Sequence, residues 1–147
     1  MIQVSFTLEP LTVKHLPFFY DIRFSVNENM LLPQHIQYLH RKQLVDDIEQ
    51  GGGWIAVSDT KYIGAGFGVC IPEPLVGGLF VKPEYQRAGV GRAILTKIEE
   101  WAVLKNKRSL SLTTDAGSSA EFFYVRNGYS KTGLDEYGQA VYIKRFV

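Results

Sequence analysis

One cysteine among 147 residues excludes an internal disulfide. That residue, Cys70, lies in the apolar run Gly68-Val69-Cys70-Ile71 and reads as packing rather than as a nucleophile. Charge of one sign is also lacking. Sixteen Lys and Arg offset fifteen Asp and Glu, and a net charge of +1 offers no field for nucleic acid or an anionic membrane surface. No apolar run approaches bilayer length, and no basic stretch precedes an apolar one at the N-terminus; the expected location is cytoplasmic. His15, His35 and His40 have no recurring metal spacing, so no metal is expected. There is no clustered Ser-His-Asp signature, although such triads assemble in space rather than in sequence. Without repeats, low-complexity tracts or linkers, residues 1–147 are expected to form one domain around one core.

What is present is a regular alternation of strand and helix patterns. Ile2, Val4, Phe6 and Leu8 alternate with polar residues as a half-buried strand does, and Pro10 closes it. Thr12 is placed to cap a helix running to about Phe24, with Pro17 in its tolerant first turn. Residues 25–33 have no period and read as a loop. Ile36, Leu39, Leu44 and Ile48 mark the apolar side of a helix over 34–50, which Gly51-Gly52-Gly53 ends. Strands follow at 54–58 and 62–71, joined by the tight turn Asp59-Thr60-Lys61. In the second, Ile63, Ala65, Phe67, Val69 and Ile71 share one face, and Gly64, Gly66 and Gly68 the other. Three glycines on one face predict a close approach, by a packed helix in preference to a substrate. Beyond Pro72-Glu73-Pro74 come a strand at 76–81, a helix, a strand at 110–114, a helix at 120–127 capped by Ser118 or Ser119 and stopped by Gly128, and a last strand at 141–146. The order is β-α-α-β-β-β-α-β-α-β, an α/β class with one parallel pair in right-handed crossover.

The stretch from Val76 to Trp101 carries the chemistry. After the strand and Pro83 comes Gln86-Arg87-Ala88-Gly89-Val90-Gly91-Arg92, and behind it Ile94, Leu95, Ile98, Trp101 and Ala102 recur at helical spacing. A helix start presents about four unpartnered N–H groups and a positive dipole end. Gly89 and Gly91 open that backbone, and Arg87 and Arg92 add charge. These features fit a phosphate or pyrophosphate; the alternative is a helix start whose glycines serve only the turn. The loop is neither a P-loop, lacking Lys-Ser or Lys-Thr after its glycines, nor a dinucleotide fingerprint, since Ile94 stands where the third glycine belongs.

Gln86-x-x-Gly89-x-Gly91 after Leu79-Phe80-Val81-Lys82-Pro83 resembles the coenzyme A pyrophosphate motif of the GNAT superfamily of N-acyltransferases. Ala120-Glu121-Phe122-Phe123-Tyr124-Val125-Arg126-Asn127-Gly128-Tyr129 is similar to the same family's A-x-x-F-Y-x-x-x-G-[FY] segment. Both stand in the family's order and at about its separation. The first half of the chain agrees in layout.

The resemblance implies a mixed, mostly antiparallel sheet flanked by helices, acetyl-CoA as donor and a primary amine acceptor, attacked directly in a ternary complex. The acceptor would be a small molecule or a peptide, and the protein a monomer or homodimer. The resemblance implies that the main chain of Leu79, Phe80 and Val81 pairs with the pantetheine arm, and that Gln86, Arg87, Ala88, Gly89, Val90, Gly91 and Arg92 cradle the pyrophosphate. Tyr124 falls where relatives place the acid for the leaving thiolate, and a phenol is protonated at neutral pH; taken alone, an aromatic in Phe-Phe-Tyr on an apolar helix reads as core. The strand glutamate that relatives use as base is Leu75 here. Glu73 sits beyond Pro74, and Glu84 lies in a turn. Asn27 and Asn29, in the irregular segment with Arg23, are candidates to bind the acceptor. The missing glutamate favours an alternative, an acyl-CoA-binding regulatory module without turnover.

Overall fold

The computed structural model of the chain describes residues 4–26 and 41–146. Seven strands among them form one sheet: β1 (Thr7–Pro10), β2 (Gly53–Ser58), β3 (Lys61–Cys70), β4 (Pro74–Val81), β5 (Ser109–Thr114), β6 (Ser130–Leu134) and β7 (Ala140–Arg145), in spatial order β1-β2-β3-β4-β5-β7-β6. Every pairing is antiparallel except β4 with β5. Helices α1 (Leu16–Ser25) and α2 (Arg41–Glu49) cover one face. α3 (Val90–Leu104) and α4 (Ser119–Arg126) bury their apolar sides on the other.

The predicted periodicities locate both layers of the core. Ile94, Leu95, Ile98, Trp101 and Ala102 of α3 are all buried, joined by Ala56, Leu110 and Leu112 from the sheet. On the opposite face Leu16, Phe19, Ile22, Leu44 and Ile48 pack on Ile55, Ala65 and Phe67. The glycine face of β3 receives α3. A Cβ on Gly66 would stand 2.9 Å from Ile94 Cγ2, and one on Gly68 would stand 2.7 Å from Trp101 Cζ3. The close approach is therefore by a helix, as the glycine pattern predicts.

The structure departs from the sequence expectations in four places. β6 is an additional strand: its five residues are all exposed, so it has no apolar alternation, and it exists by pairing its backbone with β7. Ile63 does not share the face of Ala65 and Phe67. A bulge against β2 inserts one residue of β3 there, and Ile63 joins the α3 side while Tyr62 packs towards α1. Thr12 precedes a 3-10 turn (Val13–His15), and α1 begins only at Leu16. Ser118 does not cap α4 with its side chain; its Oγ donates to the Asp115 carbonyl at 2.7 Å. Glu121 holds that helix start instead, accepting from the Gly117 N–H at 2.6 Å. Of the residues assigned to the first strand and the second helix, Ile2, Ile36 and Leu39 lie outside the described residues.

The sheet is closed everywhere but at its centre. β4 and β5 share a single register pair, Leu75 with Ser111, although they run parallel side by side. β4 also bulges at Gly77, since Phe67 pairs with Gly78 and Gly68 with Val76. A Cβ on Gly77 would collide with the Phe67 ring. The two strands thus part beyond Leu75, and their C-terminal halves stand apart.

Two predictions follow from this packing. Gly66→Ala should destabilise the protein by about 1–3 kcal/mol, because the new methyl meets the Gly78 carbonyl as well as Ile94 and Leu79. Thermal unfolding should show Tm lowered by several degrees; an unchanged Tm would mean that α3 does not press on this strand. The second concerns Glu121. Its carboxylate accepts from Tyr142 Oη (2.7 Å) and the Gly117 N–H, and pairs with Lys131 (3.1 Å). Together these bonds, Tyr142 foremost, hold its pKa down at about 2. A depressed carboxyl pKa stabilises the fold above the unfolded value and loses that contribution as pH falls towards 2. Glu121→Gln should therefore lower the urea midpoint at pH 7, with the gap to wild type closing between about pH 5 and pH 2. A gap independent of pH would assign the effect to shape rather than charge.

Candidate active site

The parting of β4 and β5 leaves a cleft of about 900 Å³. Leu79, Phe80 and Val81 form one wall; Tyr85, Gln86, Arg87, Gly89, Gly91 and Arg92 form its mouth. Ser119, Ala120, Phe122, Phe123, Tyr124, Arg126 and Asn127 of α4 and its end close the other side, and Val26 lies at the far rim. Three groups of residues singled out in the sequence thus meet at one place.

Register decides which main-chain groups face the cleft. The Lys82 N–H donates to the Ile63 carbonyl at 2.9 Å, so Lys82 is turned towards β3. Residues two apart on a strand turn their main-chain groups the same way. Phe80 therefore also faces β3; a Cβ on Gly64 would stand 3.2 Å from its carbonyl. Leu79 and Val81 face the gap. The Val81 carbonyl accepts the Gln86 side-chain amide at 3.0 Å, which ties the loop back onto the strand. The N–H groups of Leu79 and Val81 and the Leu79 carbonyl are turned to the space where β5 would otherwise pair. Phe80 supplies its ring to the α1 side, against Phe19 and under Arg23.

The loop is built to expose backbone. Arg87 (φ 63) and Gly89 (φ 86) both adopt the left-handed region, which is unfavourable for an arginine and open to a glycine. Gly89 is the N-cap of α3, and its carbonyl accepts the Ala93 N–H at 3.0 Å. The N–H groups of Val90, Gly91 and Arg92 precede any intrahelical bond and point out of the helix start. Arg87 and Arg92 are exposed beside them. The Val90 side chain is buried against Gly64, and Ala88 packs partly on the core; neither lines the cleft. A helix dipole, outward N–H groups and two guanidinium groups make this mouth an anion site.

Tyr124 is buried, its ring among Phe123 (5.1 Å), Tyr129 (5.7 Å) and Tyr142 (6.4 Å). It lines the cleft, and its hydroxyl makes no hydrogen bond among the described residues. Burial raises its pKa well above the usual phenol value, so it is protonated across the physiological range. Leu75 is half-exposed at the closed end of the gap, paired with Ser111. Glu73 precedes β4 and Glu84 sits in the 3-10 turn Pro83–Tyr85, both exposed. Neither carboxylate lines the cleft. Asn27 and Asn29 lie outside the described residues, as do His35 and His40. Among the described residues no His, Cys, Asp or Glu cluster suits a metal ion, and no helix is long and apolar enough to cross a membrane.

Sequence reasoning missed a polar cluster on the α1 face of the gap. Arg23, Thr114 and Gln139 are buried there, and Gln139 Nε2 donates to Asp115 Oδ1 at 3.2 Å. Its members come from α1, the end of β5 and the start of β7, and no spacing in the chain announces them.

Known proteins share this architecture. The PaiA N-acetyltransferase of Thermoplasma acidophilum, solved in complex with coenzyme A, superposes with a TM-score of 0.79 at 18% identity, over 97% of this chain and 99% of that one. A GNAT-family acetyltransferase of Staphylococcus aureus gives 0.81 at 14% identity, over 97% and 100%. The ribosomal-protein-S18-alanine N-acetyltransferase of Escherichia coli gives 0.73 at 18% identity, over 97% and 94%. At these identities the likeness establishes the fold. Among protein-family models, the acetyltransferase (GNAT) domain matches residues 49–131, which hold the split strands, the glycine loop and α4. The chain belongs to the GNAT family and is an acetyl-CoA-dependent N-acetyltransferase.

Proposed function

We propose that the protein transfers acetyl from acetyl-CoA to a primary amine by direct attack within a ternary complex, and that the chain serves this one site. The observation that carries the proposal is the gap between β4 and β5, with outward main-chain groups on one wall, an anion site at its mouth and a phenol inside. In this reading the pyrophosphate rests on the N–H groups at the start of α3, with Arg87 and Arg92 alongside. The pantetheine arm lies along β4 as a substitute strand, using Leu79 and Val81. An N–H of that pair meets the thioester oxygen, where charge develops as the carbonyl becomes tetrahedral. Phe80, Ala88 and Val90 shape the site from behind. Asn27 and Asn29 are proposed on the acceptor side because the segment that contains them starts at Val26, on the rim of the cleft.

Tyr124 is proposed to hydrogen-bond the departing sulfur. A thiol has a reference pKa of about 8.5, below even an ordinary phenol. Complete proton transfer from Tyr124 would leave a buried phenolate, so the hydroxyl serves by donating while the sulfur is negative. The atoms balance without a strand carboxylate. A neutral amine forms the N–C bond, the C–S bond breaks, and the proton shed by nitrogen ends on sulfur. Water in the cleft can carry it. The amine must then arrive neutral, which favours acceptors whose pKa is low or lowered on binding.

Two measurements test this. Gly89→Asp should preserve the fold, because aspartate is tolerated in the left-handed region and as an N-cap. It places a carboxylate at the helix start and should weaken acetyl-CoA binding at least tenfold in calorimetric titration, a loss of about 1.4 kcal/mol; Gly89→Asn, isosteric and neutral, should lose less. Equal affinity in all three proteins would remove the loop from coenzyme binding. Tyr124→Phe should bind acetyl-CoA nearly as wild type does but slow the single-turnover acetylation of an acceptor found by thiol-release screening. The scale is the ~10²–10⁴-fold of positioned acid catalysis at most. A chemical step within about twofold of wild type would return Tyr124 to packing.

A further inference from the structure

The main-chain ladder joins β4 to β5 only at Leu75 and Ser111, so it does not set the width of the gap farther along. Yet a strand-like ligand needs walls at a fixed separation, since hydrogen bonds weaken steeply with distance and angle. Some other contact must supply it. We propose that Arg23 is a positioning residue that holds the C-terminal ends of β4 and β5 at the separation the pantetheine arm requires. This rests on reading the gap as the thioester slot.

Arg23 stands in the last turn of α1, on the sheet face opposite α3, and is only 8% exposed. Its guanidinium carbon lies 4.5 Å from the centroid of Phe80, on the gap-lining part of β4. Such a desolvated cation on an aromatic face is an attractive contact in its own right. On its other side is Asp115, the residue that follows β5, close enough for its charge to favour the protonated guanidinium against the cost of burial. Asp115 is fixed in turn. Its carboxylate accepts from Gln139 at the start of β7, and its carbonyl accepts from Ser118, the N-cap of the helix that carries Tyr124. A second tie lies two residues along on each element: Asp21 of α1 pairs with Lys82 at 2.7 Å. α1 thus grips the end of β4 twice, and through Arg23 alone it also reaches the end of β5. A planar cation can satisfy an aromatic ring and a carboxylate together, which an ammonium on a flexible stem does poorly.

The test separates the arm of the coenzyme from its anionic end. Acetyl-CoA spans the gap and the loop, whereas adenosine 3′,5′-bisphosphate reaches only the anion site. Arg23→Met keeps the stem and removes the charge and the fork. Arg23→Lys keeps the charge. Asp115→Asn removes the opposing charge without changing shape. Calorimetric titration of each folded variant with both ligands should show acetyl-CoA weakened ~10-fold or more in Arg23→Met, with a smaller loss in Arg23→Lys and Asp115→Asn. The bisphosphate should bind within about twofold of wild type throughout. Equal losses for both ligands would make Arg23 a general support of the fold and overturn the proposal. No loss for either would show that the gap is held by other contacts and would overturn it as well. Should wild type itself bind neither ligand, the functional reading fails, and this inference falls with it.

Discussion

The structure depends on a sheet that is prevented from closing. Two adjacent parallel strands ordinarily exchange a full ladder, because an unpaired main-chain group away from water is costly. Here β4 and β5 meet once and then part. Two features keep them apart. The bulge at Gly77, possible because only a glycine fits beside Phe67, adds a residue to β4 and turns its later course. The short crossover through α3 sets the loop between Pro83 and Gly89 at the top of the gap, so the polar wall and the anion site face one space. The N–H and carbonyl groups that β5 leaves unpaired are a recognition surface whose spacing is that of a strand.

The rest of the molecule supplies what an open sheet lacks. α3 spans the breach from one side, and β3 carries three glycines so that its helix axis can come close to the strands next to the gap. α4 is fixed by Glu121, which reaches Tyr142 on β7, Lys131 on β6 and the Gly117 N–H ahead of its own helix. A related tie joins Glu99 of α3 to Tyr129 (2.8 Å) and Lys144 (3.3 Å). The two carboxylates link both helices of that layer to the β6–β7 hairpin. Tyr124 lies between them, so its ring position is determined by several elements and its hydroxyl is aimed rather than mobile.

The parts legible in the sequence were those fixed by local pattern. The helical spacing of Ile94, Leu95, Ile98 and Trp101, the glycines of β3, and the order Gln86-Gly89-Gly91 are statements about neighbours in the chain, and each holds. What depends on pairing was not legible. β6 has exposed side chains and only its backbone to recommend it. Ile63 changes face because β2 skips it, and Phe80 turns its main chain to β3 because of register, though its neighbours face the cleft. The Arg23–Asp115–Gln139 cluster unites three separate elements, and a buried arginine has no signature until its partners are known.

Burial of Tyr124 and the absence of a carboxylate on β4 are best understood together. A carboxylate in the gap would lower the local proton affinity of nothing and raise that of the phenol further; it would serve only to take a proton from a cationic amine. Without one, the cleft offers donors to both sites of developing negative charge, main-chain N–H to the oxygen and a hydroxyl to the sulfur. Such a site stabilises the anionic parts of the transition state and leaves nitrogen to lose its proton after attack, when its pKa has collapsed. The chemistry then constrains the acceptor more than the pocket shape does: an amine held cationic by its surroundings is unreactive here, however well it fits.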